Sequence, residues 1–251
     1  MKILGSDYDG TFSYGGVTEE KLAAVHAWRA AGQRFGIVSG RGIDFLESLR
    51  HYYPALELDF IITCNGGYIM NGDGEMLYTA KCAEMPIDSL IRDLFSWGCL
   101  FLGVVRERSL CVVDKRENAP EWVKDDDIRL IDDVADIDYF YQISVRMPDS
   151  TSAREVAALV RERYGEYVNP LQNYMFIDIV HRDVNKARGL LFMVEYYGGT
   201  HDDVIAVGDN VNDTDMLREF RSYAMANGVD EIKLLTDATI SDITKLFEKE
   251  M

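Results

Sequence analysis

Short apolar runs that end in polar turns alternate along this chain with segments of helical periodicity. The first apolar run, residues 2–6, leads directly into Asp7 and Asp9, and a second run, residues 34–38, ends at Ser39. The segment between the two runs carries apolar residues at helical spacing and closes with a glycine. Strands and helices that alternate over short links are typical of a doubly wound, mostly parallel α/β sheet.

The same alternation continues beyond the second run. Residues 43–53 suit a helix and residues 58–62 suit a third strand. The sequence Asn-Gly-Asp-Gly at residues 71–74 lies between apolar flanks and predicts a hairpin turn. After a long middle region, residues 184–197 predict a helix and residues 204–207 a further buried strand. The sheet that begins at the N-terminus therefore resumes near the C-terminus.

The middle region has a different pattern from residue 82 onward. It contains runs rich in β-forming residues together with two helical segments. The predicted elements are a helix over 86–97, a hairpin over 99–105 and 109–114, a strand over 139–147, a helix over 152–164 and a strand over 174–181. We therefore predict an inserted α+β domain with an antiparallel sheet over residues 82–183, and a core formed by residues 1–81 and 184–251.

Two acidic loops follow apolar runs at distant points of the sequence. Asp7 and Asp9 follow the first run, and Asp209 and Asp213 follow the run at 204–207. An Asp-x-Asp-Gly sequence is by itself also typical of a surface turn or of half a calcium loop. The spacing after Asp209 excludes an EF-hand, because an apolar residue would occupy a ligand position. If both strands lie in one sheet, their carboxyl ends converge, and the carboxylates predict a site for a hard cation.

The composition excludes several classes of partner. The chain has 251 residues, with 43 acidic against 26 basic side chains and a formal net charge of -17. Such a surface repels nucleic acid and anionic membranes. We see no apolar run of membrane-spanning length and no signal peptide, so a cytoplasmic location is expected. The four cysteines lack paired spacing and are expected to be reduced and buried, and the four histidines lack the spacing of a zinc site.

Four motifs in this order resemble those of the haloacid dehalogenase (HAD) superfamily. They are Asp-Tyr-Asp-Gly-Thr at 7–11, Ser-Gly-Arg at 39–41, Lys186, and Gly-Asp-Asn-Val-Asn-Asp at 208–213. More narrowly, the chain resembles the Cof-type sugar-phosphatase-like branch, in which a large α/β cap of type IIB is inserted between the second and third motifs. The resemblance spans nearly the whole chain and implies a Rossmann-like core and a cap that selects the substrate. The family often has glycine after the lysine, where this chain has Ala187.

The resemblance implies a Mg²⁺-dependent phosphatase, a phosphoric monoester hydrolase, that acts on small phosphorylated metabolites. Sugar phosphates, nucleotides and phosphorylated cofactors are all compatible with it. Asp7 is implied as the nucleophile that forms an aspartyl-phosphate, and Asp9 as the acid and base for the leaving group and the water. The implied Mg²⁺ ligands are Asp7, the backbone carbonyl of Asp9, and Asp209. The dehalogenases of the family lack the second acid, so Asp9 favours phosphoryl chemistry.

Further residues are implied around the bound phosphate: Thr11, Ser39, Gly40 and Lys186. Asn212 and Asp213 are implied to hold the ion through water or to orient the lysine. Each has an ordinary alternative, because serine before Gly-Arg is a common turn and lysines on helices are usually solvated. Asn212 and Asp213 can also serve as an N-cap of the following helix.

Substrate contacts are expected in the cap and at the entrance to the site. Arg41 and Asn65 are candidates at the entrance, and Arg182 is a candidate near the hinge because it precedes Lys186 by four residues. Four further cap residues are candidates: Arg106, Arg108, Arg146 and His181. Each is also typical of an ordinary solvated surface.

Two other functions are compatible with the same motifs. A sugar phosphomutase would return the phosphoryl group to a sugar instead of to water. A non-catalytic phosphometabolite-binding protein is the alternative outside the enzymes, although a binder has no need of both Asp7 and Asp9. A small phosphorylated metabolite is the expected partner in every case, and the protein is expected to be a monomer or a homodimer.

Overall fold

The computed structural model describes residues 1–107 and 109–251. These residues divide into two compact units. The core unit comprises Met1–Tyr78 and Asn185–Met251, and the inserted unit comprises Thr79–Val184. One of the cap candidates, Arg108, lies outside the described residues.

The strands in chain order are β1 (Ile3–Ser6), β2 (Arg34–Val38), β3 (Phe60–Thr63), β4 (Tyr68–Asn71), β5 (Met76–Thr79), β6 (Phe101–Val105), β7 (Leu110–Val113), β8 (Ile128–Leu130), β9 (Gln142–Arg146), β10 (Val168–Asn173), β11 (Phe176–His181), β12 (Val204–Gly208), β13 (Arg221–Met225) and β14 (Ala238–Ile240). The helices are α1 (Glu19–Ala30), α2 (Phe45–Tyr52), α3 (Ile87–Ser96), α4 (Ser150–Tyr164), α5 (Lys186–Tyr197), α6 (Thr214–Glu219), α7 (Asp230–Lys233) and α8 (Ile243–Glu250). Each described helix is too short or too polar to cross a membrane.

Among the described residues, eight strands form the core sheet in the order β14-β13-β12-β1-β2-β3-β4-β5. Strand β1 lies between β12 and β2 and is parallel to both, with Ser6 opposite Val207 on one side and Ile37 on the other. The predicted turn at residues 71–74 joins the antiparallel pair of β4 and β5 at the edge. The carboxyl ends of β12, β1 and β2 therefore meet at one edge of the sheet.

Helices cover both faces of the core sheet. Trp28 of α1, Leu46 of α2 and Phe247 of α8 are buried against one face. Leu190 of α5 and Met216 of α6 are buried against the other. This arrangement confirms the predicted doubly wound α/β fold.

In the inserted unit, six of the described strands form a sheet in the order β10-β11-β9-β6-β7-β8. Helices α3 and α4 pack on one face, where Leu90, Leu94 and Val160 join the apolar core. Most neighbouring strands are antiparallel, as predicted, but β7 and β8 are parallel. The prediction of a purely antiparallel sheet is wrong at this pair, because the long segment between β7 and β8 returns the chain in the same direction.

Strand β10 escaped the sequence-based prediction. It contains Pro170 and several polar residues, which are features that argue against a central strand. The structure places β10 at the edge of the sheet, where one side needs no hydrogen-bonded partner strand. A proline in a central strand would remove a hydrogen bond to a neighbouring strand, and the edge position avoids this loss.

The cysteine prediction is confirmed, since Cys64, Cys82, Cys99 and Cys111 are free and buried. Burial raises the pKa of Cys82 and of Cys99 to about 12. These thiols are neutral at physiological pH and serve as small apolar side chains of the interior.

Candidate active site

Three carboxylates converge at the edge where β1 and β12 end. Asp7 directly follows β1, and Asp209 and Asp213 lie in the loop after β12. All three side chains are buried, and one oxygen of each lies within 4.8 Å of the others. Because β1 and β12 are adjacent and parallel, residues that are about 200 positions apart come together here.

Lys186 is the cation at the centre of this group. It is the first residue of α5, whose N-cap is Asn185, and its side chain is fully buried. Its Nζ donates hydrogen bonds to Asp7 Oδ1 and to Asp213 Oδ1, each at 2.6 Å. The lysine therefore connects the first acidic loop to the second.

Asp213 also holds the shape of its own loop. Its Oδ2 accepts hydrogen bonds from the backbone N–H of Asp209 at 3.0 Å and of Asn210 at 3.1 Å. It makes no side-chain hydrogen bond to the N-terminus of α6, which the structure describes in full. Among the two interpretations of Asp213, the geometry therefore favours contact with the lysine and the loop over capping of the helix.

The turn after Asp7 packs closely against Asp209. Gly10 has a φ of +81°, and a Cβ at this position would collide with the Asp209 carboxylate. The Thr11 hydroxyl donates to Asp209 Oδ1 at 2.9 Å, and Asn227 Nδ2 donates to the Gly10 carbonyl at 2.8 Å. The Asp209 carboxylate can come this close to position 10 only if the residue there has no side chain and a left-handed backbone conformation, which favours glycine.

Burial changes the pKa values of the acids and of the lysine in this group. Burial raises the pKa of Asp7 well above its usual range, and the attraction of Lys186 only partly opposes this. Burial and the neighbouring Asp213 raise the pKa of Asp209 to about 6. Burial acts to lower the pKa of Lys186, but the carboxylates of Asp213 and Asp7 outweigh it and the pKa rises. The lysine therefore stays protonated and charged, whereas the acids bind protons more readily than exposed carboxylates do.

This donor set fits a hard divalent cation. Three buried carboxyl groups share one ammonium group, so the acids outnumber the cation. Carboxylate oxygens are the ligands that Mg²⁺ prefers, and the raised pKa values of Asp7 and Asp209 are changes that a bound cation would oppose.

Asp9 points away from this buried group. Its carboxylate is exposed and forms a two-pronged ion pair with Arg41, with distances of 2.8 Å from Nε to Oδ2 and 2.7 Å from Nη2 to Oδ1. The Arg41 guanidinium also lies 5.1 Å from the Tyr8 ring centroid and 4.7 Å from that of Phe45. The two aromatic rings and the carboxylate hold Arg41 over the first loop.

The loop after β2 lies beside this arrangement. Ser39 is buried, its hydroxyl accepts the Arg41 backbone N–H at 3.2 Å, and its carbonyl accepts the Asn65 backbone N–H at 3.0 Å. Asn65 is buried in a turn after β3 with a φ of +53°. Gly40 and Asn212 are both half-buried in their loops.

The remaining candidates belong to the inserted unit. Arg182 is exposed, and its guanidinium donates to the Glu166 carbonyl at 2.9 Å and lies 3.5 Å from the Asp183 carboxylate. Arg106 pairs with Asp138, Arg146 lies over the Phe176 ring at 5.0 Å, and His181 accepts the Asp183 backbone N–H.

The family model of haloacid dehalogenase-like hydrolases matches residues 4–245. This chain belongs to that family. The predicted resemblance is therefore confirmed over nearly the whole sequence.

Two named relatives of this hydrolase share part of its sequence. The 5-amino-6-(5-phospho-D-ribitylamino)uracil phosphatase YbjI of Escherichia coli strain K12 is 24% identical over 238 residues, which are 90% of this chain and 86% of the relative. The phosphatase YitU of Bacillus subtilis strain 168, named for the same compound, is 42% identical over 65 residues, which are 25% of this chain and 24% of the relative. Together with the family model, these names confirm the prediction of a phosphoric monoester hydrolase.

A solved structure of this hydrolase family has the same fold. The HAD subclass IIB sugar phosphatase BT4131 superposes with a TM-score of 0.80 at 19% identity and covers 100% of this chain and 99% of its own. At this identity the likeness concerns the fold. It supports the α/β core with an inserted unit.

Sequence reasoning about this hydrolase left two residues of the site without a role. Asn210 caps the turn that carries Asp213, and Asn227 binds the Gly10 carbonyl. For Asn210, the position directly before a turn of Asp and Asn residues is the signal of a cap.

Proposed function

We propose that this hydrolase is a Mg²⁺-dependent phosphatase of small phosphorylated metabolites that works through an aspartyl-phosphate on Asp7. The observation that carries the proposal is the buried position of Asp7, which contacts the ammonium of Lys186 and has a carboxylate oxygen within 4.8 Å of those of Asp209 and Asp213. Asp7 therefore combines a counter-charge with membership of a carboxylate group that could hold a cation.

The cation would be held by Asp7, Asp209 and the backbone carbonyl of Asp9, with Asp213 beside them. When bound, Mg²⁺ neutralises the cluster and polarises the phosphate ester, which lowers the repulsion between two anions. Thr11 and Asp213 position the second ligand, because the Thr11 hydroxyl and the loop held by Asp213 determine where the Asp209 carboxylate lies.

Asp7 attacks phosphorus and displaces the alcohol, and a water molecule then hydrolyses the phosphoryl group from the carboxylate. Lys186 favours the ionised form of Asp7 and holds its carboxylate in one orientation through a 2.6 Å contact. The same ammonium is close enough to attract the phosphate that approaches Asp7.

Asp9 protonates the leaving oxygen and later takes a proton from the attacking water. This role requires the carboxylate to exchange its contacts with Arg41 for a contact with the substrate. Arg41 holds Asp9 outward while no substrate is present. When Asp9 turns toward the substrate, the Arg41 guanidinium loses its carboxylate partner and can attract the anionic ester.

The Ser39 hydroxyl, the Gly40 backbone N–H and the Thr11 backbone bind phosphate oxygens in this proposal. Asn65 and Arg41 lie beside this turn and contact the alcohol portion of the ester. Asn212 supports the cation loop. The region 82–183, including Arg182, selects among substrates.

The substrate class rests on the similar proteins. YbjI is named for the phosphate ester of a ribitylaminouracil and BT4131 for sugar phosphates. Both are small phosphorylated metabolites, and we assign the same broad class to this chain.

A panel of phosphate esters tests the proposal. Sugar phosphates, nucleotides and phosphorylated cofactors are incubated with the full chain and Mg²⁺, and released phosphate is measured. We expect release from at least one class, and loss of this release with EDTA that is restored by excess Mg²⁺, because the cluster needs added positive charge. Isomerised sugar phosphate without free phosphate would contradict hydrolysis and support a mutase. Binding without turnover of any ester would support a binding protein.

A further inference from the structure

A cavity of about 260 Å³ lies within the inserted unit, between its sheet and the segment that connects β7 to β8. Phe101 and Gly103 of β6 and Cys111 of β7 line it from the sheet. Trp122 and Lys124 line it from the connecting segment. All of its lining residues belong to the inserted unit.

The cavity lies on the face of the sheet opposite α3 and α4. Leu102 and Val104 of β6 are buried in the apolar core beneath these helices. Side chains alternate along a strand, so Phe101 and Gly103 face the other way. On that face the connecting segment supplies the cover, with Val123 packed against the apolar group around Cys111.

Gly103 leaves room for a ligand. A Cβ at position 103 would meet no described heavy atom closer than the Leu110 carbonyl oxygen, at 4.0 Å. Glycine inside a strand weakens it and is typical of a place that another group approaches closely. Since neither a positive φ nor a clash requires glycine here, the open space is the feature that a side chain would remove.

The walls of the cavity suit a flat conjugated ring. Trp122 is 78% exposed, an unusual position for a large aromatic side chain, and its ring centroid lies 6.4 Å from that of Phe101 at an angle of 74°. Burial raises the pKa of Cys111 to about 11, so its thiol is an uncharged part of the cavity wall at physiological pH. Two perpendicular aromatic rings offer one face and one edge to a third ring.

Polar groups in the lining restrict the ligand further. Lys124 carries a hydrogen-bond donor and Asp127 carries an acceptor. A heteroaromatic ring with a lactam edge presents an acceptor oxygen beside a donor N–H, whereas a hydrocarbon presents neither. The volume is slightly below the usual range of pockets for drug-sized ligands and suits one or two fused rings.

We propose that this cavity binds a flat heteroaromatic ring with a lactam-type edge, stacked against Trp122 above Gly103. The ring can belong to a phosphate ester that the enzyme hydrolyses or to a separate effector of the same chemistry. The binding site itself does not rest on the proposed function.

Binding of quinazolin-4-one to the metal-free full chain tests the site, with saturation-transfer NMR as the readout. The control is octahydroquinolin-2(1H)-one, a saturated lactam of two fused rings that keeps the lactam edge without a flat conjugated ring. We expect quinazolin-4-one to bind at millimolar concentration, as its size allows, and the control to bind at least tenfold more weakly. Equal binding of the two compounds, or no binding of quinazolin-4-one, would overturn the proposal.

Two substitutions locate the binding. Gly103→Val fills the open space and should weaken binding at least tenfold while Tm stays equal or rises, because valine favours a strand. Trp122→Ala should weaken binding about tenfold through the lost stacking. Tyr52→Ala, at an aromatic residue of the core unit that is 72% exposed, should leave binding unchanged. Unchanged binding in both cavity variants would overturn the proposal, and Trp122→Ala decides alone if Gly103→Val does not fold.

Kinetics with phosphate esters then identifies the source of the ring. If the ring is part of the substrate, Gly103→Val raises KM for a ring-bearing ester at least tenfold and leaves KM for glycerol phosphate unchanged. If the ring belongs to an effector, both KM values stay unchanged while quinazolin-4-one binding is lost. Both results support the site, and the binding measurement needs no turnover, so failure of the proposed phosphatase activity would be recognised separately.

Discussion

Replacement of Asp7 by asparagine is expected to lower kcat by about 10⁴-fold or more, because a side-chain amide cannot form the acyl phosphate that a carboxylate forms. The variant should nevertheless fold. Asparagine has nearly the same shape as aspartate and keeps an oxygen that can accept the hydrogen bond from Lys186. Burial raises the pKa of Asp7, so the charge costs free energy in the folded state, and we expect the metal-free variant to have an equal or higher Tm at pH 7.

A matched control distinguishes this effect from a general loss of acidic charge. Asp73 is an aspartate in the exposed turn between β4 and β5, and Asp73→Asn should leave kcat unchanged. Asp9→Asn should lower kcat by about 10²- to 10⁴-fold, the usual contribution of an acid or base. An Asp7→Asn protein that retains kcat within tenfold of the original would contradict the assignment of the nucleophile.

Lys186→Met is expected to destabilise the metal-free protein by about 3–5 kcal/mol, because it leaves buried carboxylates without their cation. Lys186 is fully buried, and its ammonium contacts both Asp7 and Asp213 at 2.6 Å. Saturating Mg²⁺ should restore a large part of this loss, since the added positive charge replaces that of the lysine. Urea unfolding with and without Mg²⁺ measures both quantities.

Lys21 offers a second buried lysine for comparison. Its Nζ donates to the carbonyl oxygens of Phe12 at 2.9 Å and Gly16 at 3.0 Å, and it contacts no carboxylate of the cluster. Lys21→Met should destabilise the protein by about 1–3 kcal/mol through unsatisfied carbonyl groups. Mg²⁺ should recover none of that difference. Equal recovery in both variants would contradict a specific charge balance between Lys186 and the cation site.

Much of the architecture follows from patterns that are local in the sequence. The run before Asp7 and the run before Asp209 both predict buried parallel strands, and parallel strands of one sheet end at one edge. Helix α1, which begins at Glu19, could be predicted from its N-cap residue Thr18 and from Glu19 and Glu20 in its first turn. Such features depend on neighbours a few residues away, which a sequence displays directly.

The features that escaped prediction depend on distant partners. The burial of Lys186 results from α5 packing so that its first residue faces two loops from other parts of the chain, whereas a lone helical lysine is ordinarily solvated. The pairing of Asp9 with Arg41 joins loops after two different strands. The cavity above Gly103 exists because the segment with Trp122 folds back over the sheet. The periodicity of hydrophobic residues reflects local structure and does not predict these long-range contacts.

The central claim is that a phosphoryl group passes through the Asp7 carboxylate. The most direct measurement is rapid acid quenching of the enzyme with its best ester and Mg²⁺ during the first turnover, followed by mass spectrometry of the peptide that contains Asp7. We predict that this peptide gains one phosphoryl group before free phosphate appears, and that Asp7→Asn protein shows none. Free phosphate that appears as fast as the alcohol, with no phosphorylated peptide at any time, would contradict the account and indicate direct attack by water.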